Sequence, residues 1–291
     1  SLHLIVLIWG FTGILGKVIS IDAGSTVFYR MGIAVLGLWA YFLVRGKSWK
    51  VPARTAGLFL LNGLVVAGHW AFFFQALKVS NVSVTLACLS SASLFMAILE
   101  PLFFRRRVIG YEIVLGLVVI GGLSLIFRFE GQYTAGIVYS LLAAFLAALF
   151  TVINGIWVKT YSAGTITMWE MIGGTVGILV FLAITQPDAQ IIALPSLLDI
   201  AYLLILGLIC TAMAFVVSVD VMKELSPYSV SMTINMEPIY AILLALAFFG
   251  DAEFMTPWFY AGALLILLTV FGNAYLKRHA QRQCKKEDQS A

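Results

Sequence analysis

The chain has 291 residues, of which 62% are hydrophobic and 11% charged, with a formal net charge of +4. So little polar surface excludes a water-soluble globular domain of this size and leaves an all-α integral membrane protein of several helices. The lysines and arginines are scattered through connections and the C-terminal tail, which excludes nucleic acid as a partner, and Cys88, Cys210 and Cys284 show neither metal nor disulfide spacing, so no metal or cofactor is expected.

Apolar segments fall at 2–21, 26–44, 55–77, 82–104, 111–128, 134–158, 166–185, 197–222, 229–249 and 257–276. Each is near the ~20 residues that cross a bilayer core, which predicts ten transmembrane helices. The first is long for a signal-peptide core, lacks a small-residue cleavage pattern and is followed at once by further spans, so it reads as a helix of the bundle. The chain opens without Met, which leaves the native N-terminus open. Gly10, Gly13 and Gly16 give the first segment a small-residue stripe suited to close packing, as do Gly173 and Gly177 on the seventh.

The second segment carries Arg30 about a turn and a half inside. A guanidinium at that depth needs a carboxylate, carbonyls or a wet vestibule, so Arg30 either binds a substrate carboxylate or holds Asp22 and the helix ends. His69 and Trp70 lie in the third segment, followed by Phe72, Phe73 and Phe74. Consecutive aromatics point all round a helix, so only part of this run can line a cavity. His69 is read as a proton carrier or, more commonly for a lone buried histidine, a hydrogen-bonded core residue.

Ser90 and Ser91 in the fourth segment, Asn154 in the sixth and Asn235 in the ninth are uncharged polar groups near mid-membrane, suited to helix contacts or to a small polar ligand. Glu170, near the inner end of the seventh segment, has Lys159 or a substrate amine as expected partners. The connection 186–199, with Pro187, Pro195 and two acids, reads as a loop with an interfacial turn.

In the ninth segment Glu237-Pro238 interrupts an apolar run long enough to span a bilayer. The proline frees a backbone carbonyl and the carboxylate is costly in hydrocarbon, so the pair belongs where a helix lines protein or water. Glu237 is therefore the leading candidate for binding cargo or a proton, with Pro238 as the kink; a satisfied structural Glu is the alternative.

Lys and Arg concentrate in the connections that share a side with both termini: Arg45, Lys47, Lys50 and Arg54, then Arg105 to Arg107, Lys159 and Lys223, and the tail. That predicts cytoplasmic termini. The opposite connections are acidic, with Asp22, Glu130, Asp188, Asp199, Asp251 and Glu253. At a constant offset of 146, Ser80 meets Ser226, Ser83 meets Ser229 and Phe103 meets Phe249; an offset of 142 pairs Gly13 with Gly155 and Lys17 with Lys159. Two sets of five segments with opposite entry predict inverted five-helix repeats over 1–130 and 131–277, with 278–291 as a basic cytosolic tail.

The Trp-Gly of 9-WGFTGILGK-17, which brings Thr12 beside Trp9, the Arg of 29-YRMGIA-34, the Ala-Leu of 72-FFFQALKVSNVSV-84, and 236-MEP-238 with 250-GDAE-253 resemble the drug/metabolite transporter superfamily, and more narrowly its ten-helix EamA-type metabolite exporters. The resemblance implies secondary transport of a small metabolite, often outward, with amino acids among the cargo. This sequence departs in the fourth segment: the family often has Pro near Ala92 and an acid after the span, where Glu100-Pro101 and Arg105-Arg106-Arg107 stand.

The expectation is a multi-pass inner-membrane carrier in lipid, monomeric or weakly dimeric, that works by alternating access on a small polar, amino-acid-like solute, with proton coupling as an option. Expected binding residues are Trp9, Thr12, Arg30, His69, Trp70, Ser90, Ser91, Asn154, Glu170, Asn235 and Glu237. A membrane-embedded enzyme and a non-transporting sensor or scaffold are the alternatives. Phosphate-loop, zinc-pair and nucleophile-elbow motifs are absent, which argues against the enzyme.

Overall fold

The computed structural model describes residues 2–105, 109–185 and 191–290, and all its regular elements there are helical. The elements are α1 (Leu2–Val18), α2 (Ala23–Val44), α3 (Ala53–Val79), α4 (Val82–Leu89), α5 (Ala92–Phe104), α6 (Gly110–Phe129) and α7 (Thr134–Trp157). They continue with α8 (Ala163–Thr185), α9 (Leu197–Leu204), a π-helical stretch (Ile205–Met213), α10 (Ala214–Val221), α11 (Pro227–Ile234), α12 (Glu237–Phe249) and α13 (Pro257–Ser290). Three expected spans are thus composite: α4 with α5, α9 with the π stretch and α10, and α11 with α12. Counting each composite once gives ten long helical units among the described residues, approximately the expected number of spans. Seven of them are at least 18 residues long and apolar enough to cross a bilayer without allowance. Of the loop expected over 186–199, residues 186–190 lie outside the described set.

Packing partners recur when the two halves are exchanged. The third span, α3, lies on α7 and α8; the eighth, α9 to α10, lies on α1 and α2. The fourth span meets α7 and α11–α12, and the ninth meets α1 and α4–α5. α6 and α13 pack chiefly on each other, with Gly122 and Gly262 back to back where a side chain would meet the opposing carbonyl. They stand beside the bundle as the apolar composition of their middles suggests.

Small residues set several of these crossings. Gly10 faces the backbone of Ala241, Gly13 lies on Val82 and Gly155 on Pro227, so the Gly13–Gly155 correspondence marks the same kind of contact in each half. Lys17 and Lys159 correspond in the same way. Lys17 Nζ donates to the carbonyls of Leu77 and Ser80, closing the end of α3, and Lys159 Nζ donates to the carbonyl of Lys223 after α10. Cations at helix C-termini satisfy carbonyls that have no intrahelical partner.

At the end away from the basic connections, carboxylates meet helix starts. Asp22 caps α2 through Ser25 N, Asp199 joins Ser196 in a capping box and also accepts from Ser20, and Glu130 accepts from Thr256 N and Oγ1 just before α13. Glu253 accepts from Val82 N at 3.0 Å and from Ser83 N and Oγ at 2.9 and 2.8 Å, across halves, at the start of α4. At the basic end Glu100 does the reciprocal job for α11, accepting from Tyr228 N at 2.5 Å. Negative charge is stabilised at these positions by free N–H groups and the helix dipole.

Candidate functional site

The site is built on two helix breaks. In the ninth span α11 ends at Ile234 and α12 restarts at Glu237, with Pro238 in its first turn, where a missing N–H costs nothing. The fourth span breaks at the corresponding depth although it has no proline there: at an offset of 146, Ser91 falls on Glu237 and Ala92 on Pro238. Its serines do the work instead. Ser90 Oγ donates to Leu86 O and Ser93 Oγ to Ser90 O, whose ladder partner Leu94 N turns to Ser91 O instead.

Between the breaks lies a cavity holding about 870 Å³ of free space, its mouth included. Its wall comes from the first four spans and the sixth, eighth and ninth; the seventh, expected to contribute, does not line it. Trp9, Thr12, Arg30, His69, Trp70, Ser90, Asn235, Glu237 and Pro238 meet on this wall. Ser91, buried beside Ser90, is not among the lining residues, and neither are Asn154 and Glu170. Phe73 joins Trp70 on the wall while Phe74 turns away into packing.

Arg30 is buried, 1% exposed, so it does not snorkel to an interface, and Asp22 is engaged elsewhere as the cap of α2. Its Nε donates to Thr211 Oγ1 at 2.6 Å, and its guanidinium carbon stands 3.9 Å from the centre of the Trp70 ring. A flat cation over an indole face is held by the ring quadrupole. Nη1 has no partner.

The π stretch makes this arrangement possible. Thr211 Oγ1 donates to Leu206 O five residues back, and the Cys210 carbonyl accepts from Trp9 Nε1 at 3.0 Å. A π turn releases groups that an α-helix would keep in its own ladder, and here both turn toward the cavity wall. Sequence reasoning missed Thr211, Phe150 and Phe215; an isolated Thr and scattered Phe in apolar segments gave no signal, since a π turn has no periodicity of its own.

Glu237 is 6% exposed, and among the described residues no hydrogen bond or ion pair closes on its carboxylate; Arg30 is the cation whose field reaches it. Thr12 Oγ1 and Asn235 Nδ2 are likewise buried without partners. His69 Nδ1 lies 2.8 Å from the Ala143 carbonyl and so carries the hydrogen, with the ring stacked on Phe73 and edge-on to Phe150. The cavity thus offers unpartnered N–H and O–H donors, one carboxylate acceptor and an aromatic wall. That combination suits a small solute with both charges and an apolar part.

Glu170 is not paired with Lys159. It accepts from Asn62 Nδ2 at 2.6 Å and Asn154 Nδ2 at 3.3 Å, because Lys159 is drawn to the end of α10. Sequence reasoning missed Asn62, a lone amide in an apolar segment whose polarity at depth was the available signal.

Sequence comparison identifies the family. The profile of the EamA-like transporter family matches residues 2–128 and again 134–275. The uncharacterized transporter YdfC of Bacillus subtilis (strain 168) is 22% identical over 278 residues, spanning 94% of this chain and 86% of that protein. The uncharacterized transporter YxxF of the same organism is 22% identical over 255 residues, 84% of this chain and 79% of that one. A solved crystal structure of a protein superposes with a TM-score of 0.71 over 95% of this chain and 97% of its own, at 14% identity, which is a likeness of fold alone.

Proposed function

The chain belongs to the EamA-like transporter family, and on that premise we propose that it is a secondary transporter carrying a small amino-acid-like solute through the central cavity by alternating access. The observation that supports it best is the set of buried, unpartnered polar atoms, Thr12 Oγ1, Arg30 Nη1 and Asn235 Nδ2, converging with Glu237 on one cavity. Arg30 receives the solute's carboxylate, Glu237 its ammonium, and Trp9, Trp70, Phe73 and Phe215 its side chain. Guanidinium, with its planar array of donors, suits carboxylate recognition better than a lysine would.

Each half contributes one broken span to the cavity and one carboxylate to the other half's broken span, an arrangement that suits two exchangeable conformations about a fixed site. The basic connections support cytoplasmic termini, with the inner membrane as the proposed residence and export as the direction that the resemblance implies.

Glu237→Gln tests the site. The amide keeps the shape of the side chain, so the protein should fold and insert normally while counterflow of radiolabelled amino acids in proteoliposomes is abolished or loses its dependence on pH. Wild-type counterflow across roughly pH 5 to 8 would show that Glu237 is structural. In that case Pro238→Ala should be the more damaging of the two changes.

A further inference from the structure

One buried carboxylate outside the cavity, unlike Glu100, Glu130, Asp199 and Glu253, serves no helix start. Glu170 is fully buried on α8, where that helix packs on α3, and its two oxygens accept from Asn62 Nδ2 of α3 and Asn154 Nδ2 of α7. Asn62 Nδ2 also reaches Asn154 Oδ1 at 3.1 Å, so the three side chains form one cluster. α3 and α8 touch backbone to backbone here: a side chain at Gly63 would collide with the Glu170 carbonyl and one at Gly173 with Leu60.

Two atoms around the cluster lack partners, Asn62 Oδ1 and Thr167 Oγ1, one turn before Glu170. The charged and titratable groups of the packed elements are engaged elsewhere or stand apart. On α2 these are Arg30, on Thr211, with Tyr29 and Tyr41; on α3 they are Arg54, His69, on Ala143, and Lys78, on Ile19. Tyr139 on α7 stacks on Phe72, Lys159 after α7 binds the Lys223 carbonyl, and Asp220 on α10 pairs with Lys223. None makes a hydrogen bond or ion pair to Glu170.

A buried carboxylate therefore sits among amides with no counter-charge, beside an acceptor that lacks a donor. A proton corrects the first fault. It forms an Oε–H bond and leaves the group neutral, which removes the cost of an uncompensated charge in the interior. A metal ion fits less well, because N–H groups already point at both oxygens, and no group of three or more His, Cys, Asp or Glu side chains occurs among the described residues.

We propose that Glu170, held by Asn62 and Asn154, is a proton-binding site apart from the cavity, taking a proton from water and returning it to water once in each transport cycle. Asn62 and His69 lie seven residues apart, two turns along one face of α3, so movement of that helix alters the proton site and the cavity wall together. The role in the cycle rests on the transporter reading; the proton site does not.

Infrared spectra of the purified full-length protein in lipid, titrated from acidic to alkaline buffer with potassium as the sole alkali cation, read protonated carboxyl groups directly. A carboxyl band lost on alkalinisation should persist in Glu237→Gln, disappear in Glu170→Gln, and shift its midpoint in Asn62→Leu. If the glutamine variant does not fold, Glu170→Asp should keep the band at a displaced midpoint. The same band in Glu170→Gln as in wild type overturns the proposal, and so does a band that added sodium abolishes at constant pH. In proteoliposomes, Glu170→Gln should keep counterflow of radiolabelled amino acids but lose accumulation driven by a pH gradient by about tenfold or more; undiminished accumulation overturns the coupling. Lack of any counterflow in the wild type strikes the amino-acid reading of the cavity, while the infrared titration still decides the proton site.

Discussion

Thr12 Oγ1, Arg30 Nη1 and Asn235 Nδ2 are the residues at which energetics and function part company. A buried polar atom without a partner costs about 1–3 kcal/mol, and a ligand that supplied the partner would recover it. Thr12→Val, nearly equal in volume, should therefore raise the melting temperature of the unliganded protein while weakening amino-acid counterflow. A variant less stable than wild type would mean that the hydroxyl has a partner within the fold. Arg30→Lys keeps a charge but loses the planar cation over Trp70 and the Nε bond to Thr211. Counterflow should fall, with the protein still inserted, as measured by initial rates on matched amounts of protein. Arg30 and Glu237 were legible in the sequence because charge in an apolar run stands out. Their setting was not: Thr211 reaches Arg30 from 181 positions away, through a π turn that composition does not announce.

At the scale of the element, the spans were legible and their interruptions only partly so. Hydropathy placed ten crossings, and Pro238 marked the break in the ninth. The matching break in the fourth has no proline, since Ser90 and Ser93 loosen the helix by binding its carbonyls. Of the acidic residues at the far end, read from sequence as an orientation signal, Asp22, Glu130, Asp199 and Glu253 are bound at helix starts, while Asp251 is exposed and Asp188 lies outside the described residues. Charge count alone cannot distinguish a solvated loop acid from a cap. Glu253 is the clearest case, 1% exposed and holding three donors of α4. Glu253→Ala should destabilise the protein by about 1–3 kcal/mol, seen as a lower thermal midpoint in detergent. Unchanged stability would mean that water replaces the carboxylate without loss.

For the whole molecule, the exchange of packing partners between halves rests on contacts that sequence hinted at through Lys17 with Lys159 and Gly13 with Gly155. So thin an identity could not specify which spans touch, because helix neighbours in a bundle are set by three-dimensional closure. Orientation is open to direct measurement. In a Cys284→Ser background, where Cys88 and Cys210 are buried, Asp251→Cys should react with an impermeant thiol reagent on intact cells and Ser48→Cys should not. The opposite pattern would invert every inner and outer assignment. The bond from Glu253 to the start of α4 also has a consequence for the order of synthesis. Val82 and Ser83 leave the ribosome some 170 residues before the carboxylate that will satisfy them, so the first half enters the membrane with an open helix start and is completed only when the ninth span has emerged.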